Sequence, residues 1–156
     1  ASPPQSVWKT FLCFGEYPGN FPNCVYSKVH EKKQNIQLVE LHHGLGFGMK
    51  LRNCMEYKLA SKKLSLTWSL DPGRSSDFLG VQGQFVVEPH PTKRNWSRVW
   101  YSTDVSLPQW LPTYIANQIP KQSGMKGLDF VKTRSEKVYM TKTKSPRWAL
   151  SKRLLS

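Results

Sequence analysis

The sequence predicts an α+β fold, a curved antiparallel sheet with one wet face and one apolar face that helix must cover. Three observations predict it. The stretch Lys50 to Leu107 alternates apolar and polar residues at period two, the pattern of half-buried strands. Short polar turns separate these segments, as they do antiparallel neighbours. A helix-like stretch then follows near Trp110 to Lys132, and an amphipathic sheet needs such a second layer.

The elements follow in order. Val7, Trp8, Phe11 and Leu12 recur at helical spacing within Gln5 to Phe14, with Ser6 as the expected cap and Gly15 just beyond the end. Glu16 to Asn23 combines two prolines with aromatic residues and reads as a tight connection packed on the sheet. Cys24 to Glu31 and Ile36 to Leu41 alternate around the turn Lys32 to Asn35 and form a hairpin. Glycines at 44, 46 and 48 predict a bulge or sharp bend. A phosphate-cradling loop would need a helix after it, and strand follows here.

In the next strand Leu51, Asn53, Met55, Tyr57 and Leu59 share one face, against Arg52, Cys54, Glu56 and Lys58. Leu64, Leu66, Trp68 and Leu70 repeat the pattern, Leu79, Val81, Phe85 and Val87 continue it, and Val99, Tyr101, Thr103 and Val105 close it. Asp71 to Ser76 and Glu88 to Asn95 are turns by composition. The covering helix is expected to start at Pro108-Gln109-Trp110, with Trp110, Leu111, Tyr114 and Ile115 on one side. Pro120 should kink it, and Met125, Leu128, Phe130 and Val131 carry the stripe onward.

A chain of 156 residues with 38% hydrophobic and 12% aromatic residues fits one domain with a real core and is too apolar for a disordered polymer. No apolar run approaches the roughly 20 residues of a membrane span. The net charge of +13, from 23 Lys and Arg against 10 Asp and Glu, favours an anionic partner. Basic residues are spread over turns (Lys32, Lys33, Lys62, Lys63, Lys93, Arg94), without an RNA-binding signature, so any nucleic-acid contact should be phosphate-dominated. Cys13, Cys24 and Cys54 lie far apart with no C-x-x-C, which points to free thiols in a reducing compartment. The Asn95-Trp96-Ser97 sequon is discounted on that ground. The opening Ala1-Ser2-Pro3-Pro4 lacks Met, which suits a processed organellar protein or a fragment that begins late.

From Lys137 to Ser156 the composition shifts to six Lys or Arg and no acid. The tail reads either as a solvated extension or as an arm that docks on a macromolecule. Its candidate contacts are Lys142, Lys144, Arg147, Trp148, Lys152 and Arg153. The organisation expected is therefore a domain over 1–136 and a basic tail over 137–156.

Val7-Trp8-Lys9, Tyr17-Pro18, Phe21-Pro22-Asn23 and Val25 to Glu31 are followed late in the chain by Trp100 to Val105, Leu107 to Pro112 and Lys132 to Glu136. Together they resemble the helix-grip fold of the START-like, polyketide cyclase and lipid-transport superfamily (SRPBCC). The nearest look is to its coenzyme-Q-binding-like and plant chloroplast members. The resemblance spans roughly Val7 to Glu136 and implies a sheet wrapped around a long C-terminal helix. One departure is that the first edge strand is missing, which should leave the strand Arg98 to Leu107 unpaired unless something covers it.

The resemblance implies an apolar cavity, and face parity selects Met55, Tyr57, Leu66, Trp68, Leu79, Val81, Phe85, Val99, Tyr101, Tyr114 and Ile115 as its lining. The first expectation is non-enzymatic binding of an apolar small molecule such as a lipid, isoprenoid or pigment. The second is an accessory subunit of a large organellar protein or ribonucleoprotein complex, a ribosome or photosynthetic assembly, in the chloroplast rather than the mitochondrion. The third is a cyclase-type enzyme, for which Glu40 and His42, on one parity with Ile36 and Leu38, are the titratable candidates. No catalytic residue or cofactor is assigned, and no metal either, since His42 and His43 point to opposite faces of a strand and cannot share one.

Overall fold

The computed structural model describes residues 2–46, 48–117 and 126–144, the last three by backbone alone. Its first element is helix α1 (Pro4–Phe11), begun by prolines whose fixed φ suits the first turn. Ser6 lies inside this helix and does not cap it. Its hydroxyl donates instead to the Ser135 carbonyl at 3.3 Å and ties α1 to the C-terminal helix. Val7, Trp8 and Phe11 form the buried stripe, and a single 3-10 turn (Phe14–Glu16) leads into the connection.

Six strands follow: β1 (Cys24–Lys32), β2 (Ile36–Gly46), β3 (Met49–Ala60), β4 (Ser65–Leu70), β5 (Gly80–Pro89) and β6 (Ser97–Ser106). They pair antiparallel in simple sequence order, so each strand's apolar side chains meet those of the next. Register makes rows across the inner face. Tyr57, Trp68, Gly83 and Thr103 lie opposite one another in turn, and Leu59, Leu66, Phe85 and Tyr101 form the row beside them. Gly83 is the gap in its row that the Trp68 indole fills. A Cβ there would stand 2.5 Å from the Ser102 carbonyl oxygen and closer still to the Trp68 ring.

The inner face of β2 differs from expectation. Gln37, Val39 and Leu41 are buried there, on one parity with His43, while Glu40 and His42 lie on the convex outer face. Ile36 and Leu38, the apolar pair used to set the parity, are only half-buried on that outer side.

The covering layer also differs. Only Thr113–Ala116 (α2) is described as helical in the stretch after Pro108, and the long helix α3 runs from Gly127 to Lys144. Trp110 and Tyr114 are each 65% exposed, whereas Leu111 and Ile115 are buried against Leu51 and Phe78. Trp110 and Leu111 precede α2 in a turn, so no continuous helix carries the four residues on one side. Pro120 and Met125 lie outside the described residues.

Helix α3 leans on α1 and the connection. Val131 and Ser135 are fully buried at that contact, and the Phe130 ring meets Tyr17 and Phe21 edge-on at 6.0 and 6.3 Å. Gly127 opens the helix where a Cβ would stand 2.6 Å from the Phe21 ring. A bidentate Arg134–Glu16 pair, both bonds 2.8 Å, closes the same junction. The helix continues past position 136 without a break. No described helix is long and apolar enough to cross a membrane.

The outer edge of β6 carries no partner strand among the described residues. It receives the N-terminal segment, where the Ser97 hydroxyl donates to the Ser2 carbonyl at 2.7 Å.

Candidate functional site

What fills the concave face of the sheet is mainly aromatic. Phe11 of α1 stacks on Phe85 with centroids 4.0 Å apart, Phe14 meets Tyr57 at 4.7 Å, and Trp68 meets Tyr101 at 5.4 Å. Tyr17 stacks on Phe21 at 4.6 Å, and its hydroxyl donates to the Phe11 carbonyl at 2.7 Å. These rings leave an apolar cavity of about 70 Å³ between α1, the connection and strands β2 to β6.

Of the residues that parity selected, Met55, Tyr57, Trp68, Val81 and Tyr101 line this cavity. Leu66 and Phe85 are buried beneath it as core, and Val99 packs at the edge of the same cluster. Ile115 belongs to the second, smaller cluster. Two expectations are corrected. Leu79 is 68% exposed, because β5 begins at Gly80 and the strand alternation does not reach back to it. Tyr114 is exposed on the outward side of α2.

Several lining residues escaped the parity reading. Phe11, Tyr17 and Phe21 come from α1 and the connection, which the sequence reads as a short amphipathic helix and a tight connection packed on the sheet. His43 was hidden by the inverted parity of β2. Asn53 and Thr103 stood on the expected inner faces but were passed over as polar.

Asn53 and His43 form the polar end. Asn53 lies opposite Leu41 and His43 opposite Leu51, so the two are diagonal neighbours on the inner face. Asn53 is only 5% exposed, and its Oδ1 has no hydrogen-bond partner among the described residues. Part of the His43 surface faces the cavity, yet protein packs closely around the ring and burial pushes its pKa down to about 4. The Asn53 side chain works the other way as a polar neighbour of the ring, although among the described residues no hydrogen bond of full geometry joins the two or reaches Asn53 Oδ1. The Tyr101 hydroxyl is pushed up to about 12 and those of Tyr17 and Tyr57 are raised too, each chiefly by burial. At neutral pH the lining is therefore uncharged.

Glu40 and His42 are remote from this chamber. Glu40 accepts from His42 at 2.6 Å and His30 at 2.7 Å on the convex face, and these contacts hold its carboxyl below the usual range. No group of three or more His, Cys, Asp or Glu among the described residues is placed to hold a metal. Cys24 and Cys54 are buried free thiols, and Cys13 is an exposed one.

A wider concavity of about 1030 Å³ lies between the connection and α3, but it is an open, mixed-polarity groove around the Glu16–Arg134 pair. Exposed aromatics gather elsewhere, at the β5–β6 turn. Lys93 sits 4.7 Å over the Trp96 ring and Arg98 5.9 Å from Trp100, whose indole N–H donates to Glu88 at 3.0 Å. Of the tail candidates, Lys142 and Lys144 are placed on α3 by backbone alone, and Arg147, Trp148, Lys152 and Arg153 lie outside the described residues.

A six-stranded antiparallel sheet gripping aromatic side chains, closed by a C-terminal helix, is the helix-grip fold. Solved structures agree. A protein of Thermus thermophilus superposes with a TM-score of 0.73 at 15% identity, over 88% of this chain and 92% of that one. The ZhuI aromatase/cyclase of Streptomyces sp. R1128 gives 0.70 at 14% identity, over 87% and 88%. A STAR-related lipid transfer protein of Xanthomonas axonopodis gives 0.69 at 12% identity, over 86% and 80%. At such identities the likeness establishes the fold. No protein-family model and no curated protein matches the chain.

Proposed function

We propose that the chain binds an apolar small molecule, without chemistry, in the cavity between the sheet, α1 and the connection. The observation that carries this reading is an uncharged, aromatic-lined chamber with a buried polar end. It is supported by a fold whose solved neighbours include a lipid transfer protein and an aromatase/cyclase.

The free volume of about 70 Å³ is well below the roughly 300 Å³ at which ligand pockets begin. The ligand therefore enters by displacing rings such as Phe11 and Phe21, which come from α1 and the connection rather than from the sheet. Native mass spectrometry of gently isolated protein, before and after organic extraction, tests the reading. A single apolar adduct that leaves on extraction is expected, and protein without any adduct counts against it.

A second reading is an accessory subunit of a large organellar assembly. The exposed Trp96 and Trp100, each beside a cation near the β6 edge, favour it. Recovery in a large assembly from which removal of residues 145–156 releases the protein would support docking through the tail.

A further inference from the structure

We propose that the His43–Asn53 end of the cavity is a subsite that recognises a hydroxyl group, alcohol or phenol, on an otherwise apolar ligand. The inference rests on the ligand-binding reading above and names the chemistry that the ligand must carry.

Asn53 occupies a position that apolar residues fill on either side along β3, with Leu51 and Met55 both buried. A leucine there would carry no polar atom to satisfy, whereas an asparagine whose Oδ1 finds no partner among the described residues leaves a desolvated acceptor unmade. Such a group in a native core calls for a donor, and in a cavity of this size the donor is a water that a ligand can replace or the ligand itself. The cavity runs up to Asn53, so the donor can come from a bound molecule.

The lining narrows the donor's identity. Among the described residues, no Lys, Arg, Asp or Glu lines the cavity. A carboxylate or phosphate end would be buried without a counter-charge, and so would an ammonium. A ketone or quinone oxygen cannot donate to Asn53 Oδ1. A hydroxyl can, and its own oxygen can accept in turn from the neutral His43 imidazole diagonal to Asn53. The free volume of about 70 Å³ suits such an end group and a few carbons, while the body of the ligand takes the place of displaced rings.

The test uses two probes that differ only in this group, 2-naphthol and 2-methylnaphthalene, titrated into the full chain by nitrogen-15 NMR. The wild type should bind the naphthol about tenfold more tightly, the equivalent of one hydrogen bond. Asn53→Leu should bring the ratio of the two affinities close to one. Equal affinities in the wild type, or a preference that survives in Asn53→Leu, overturn the subsite and leave apolar binding standing. Failure of the wild type to bind either probe overturns both readings. Should Asn53→Leu not fold or bind neither probe, the wild-type Asn53 carboxamide decides: both rings shift it by their ring currents, but naphthol should move it further than methylnaphthalene, and an equal or smaller shift with naphthol refutes the subsite.

Discussion

Phe11→Ala probes the aromatic packing that defines the site. Phe11 is 4% exposed, stacks on Phe85 at 4.0 Å and stands 6.2 Å from Trp68, so its ring has rigid neighbours on several sides. Removing a buried phenyl ring costs about 3–5 kcal/mol, the lost transfer free energy of the ring together with about 24 cal/mol for each Å³ of cavity left behind, and the stacked pair with Phe85 puts Phe11 in the upper half of that range. The better helix propensity of alanine returns about 0.5 kcal/mol. A net loss of about 4 kcal/mol is a large fraction of a domain's stability. Urea unfolding should show it as a midpoint lowered by about 2 M at a slope of about 2 kcal/mol/M. Because the vacated space is where a ligand would sit, 2-methylnaphthalene at ten times its Kd should restore about 1.4 kcal/mol. A loss below about 1 kcal/mol would refute the packing argument, since it would mean that the ring is not held between the sheet and α1.

Gly83→Ala should destabilise by at least about 1–3 kcal/mol and change Trp68 fluorescence, since backbone and indole both block the new Cβ; an unaltered spectrum with unaltered stability counts against the register. Arg134→Ala should loosen the α3 contact only slightly, and less in high salt, because the pair is partly exposed. Glu16 is held below its usual range chiefly by hydrogen bonding to Arg134, so the pair's contribution is present above the ordinary carboxylate range and lost as pH falls through the lowered value. Acid titration of both proteins reads this directly. His43 is depressed from 6.5 to about 4, so the unfolded chain takes up a proton before the folded one does. Stability should fall by up to about 3 kcal/mol between pH 6.5 and 4, and His43→Leu should flatten that part of the profile relative to the wild type.

Most of the sheet was legible because period-two alternation survives wherever one face is buried along the whole strand. In β3, Leu51, Asn53, Met55 and Tyr57 all face inward as their spacing predicts, and Leu66 with Trp68 do the same in β4. Alternation fails as a guide where burial is uneven. Strand β1 is an edge with Val25, Tyr26 and Val29 exposed, so little packs on the outer face of β2 beside it. Ile36 and Leu38 can then tolerate half-exposure there, and two half-buried apolar residues were enough to reverse the reading of Glu40, His42 and His43. Leu79 shows the complementary failure, since alternation was carried one residue past the strand end, where Phe78 turns in and Leu79 turns out.

The candidate site was less legible than the fold because much of it comes from outside the sheet. An amphipathic helix reads from sequence as a cover for whatever lies beneath, and nothing in its spacing says that Phe11, Tyr17 and Phe21 occupy space which larger pockets leave free. One signal was nonetheless present in the strand pattern. An asparagine among leucine, methionine and tyrosine on a single inward face costs free energy wherever its Oδ1 lacks a donor, and no backbone turn in the middle of a strand needs it. An apolar face with one dissonant polar residue is where a binding site differs from a core. On that argument Asn53 marks where the cavity departs from ordinary core packing more sharply than any of the aromatic residues around it.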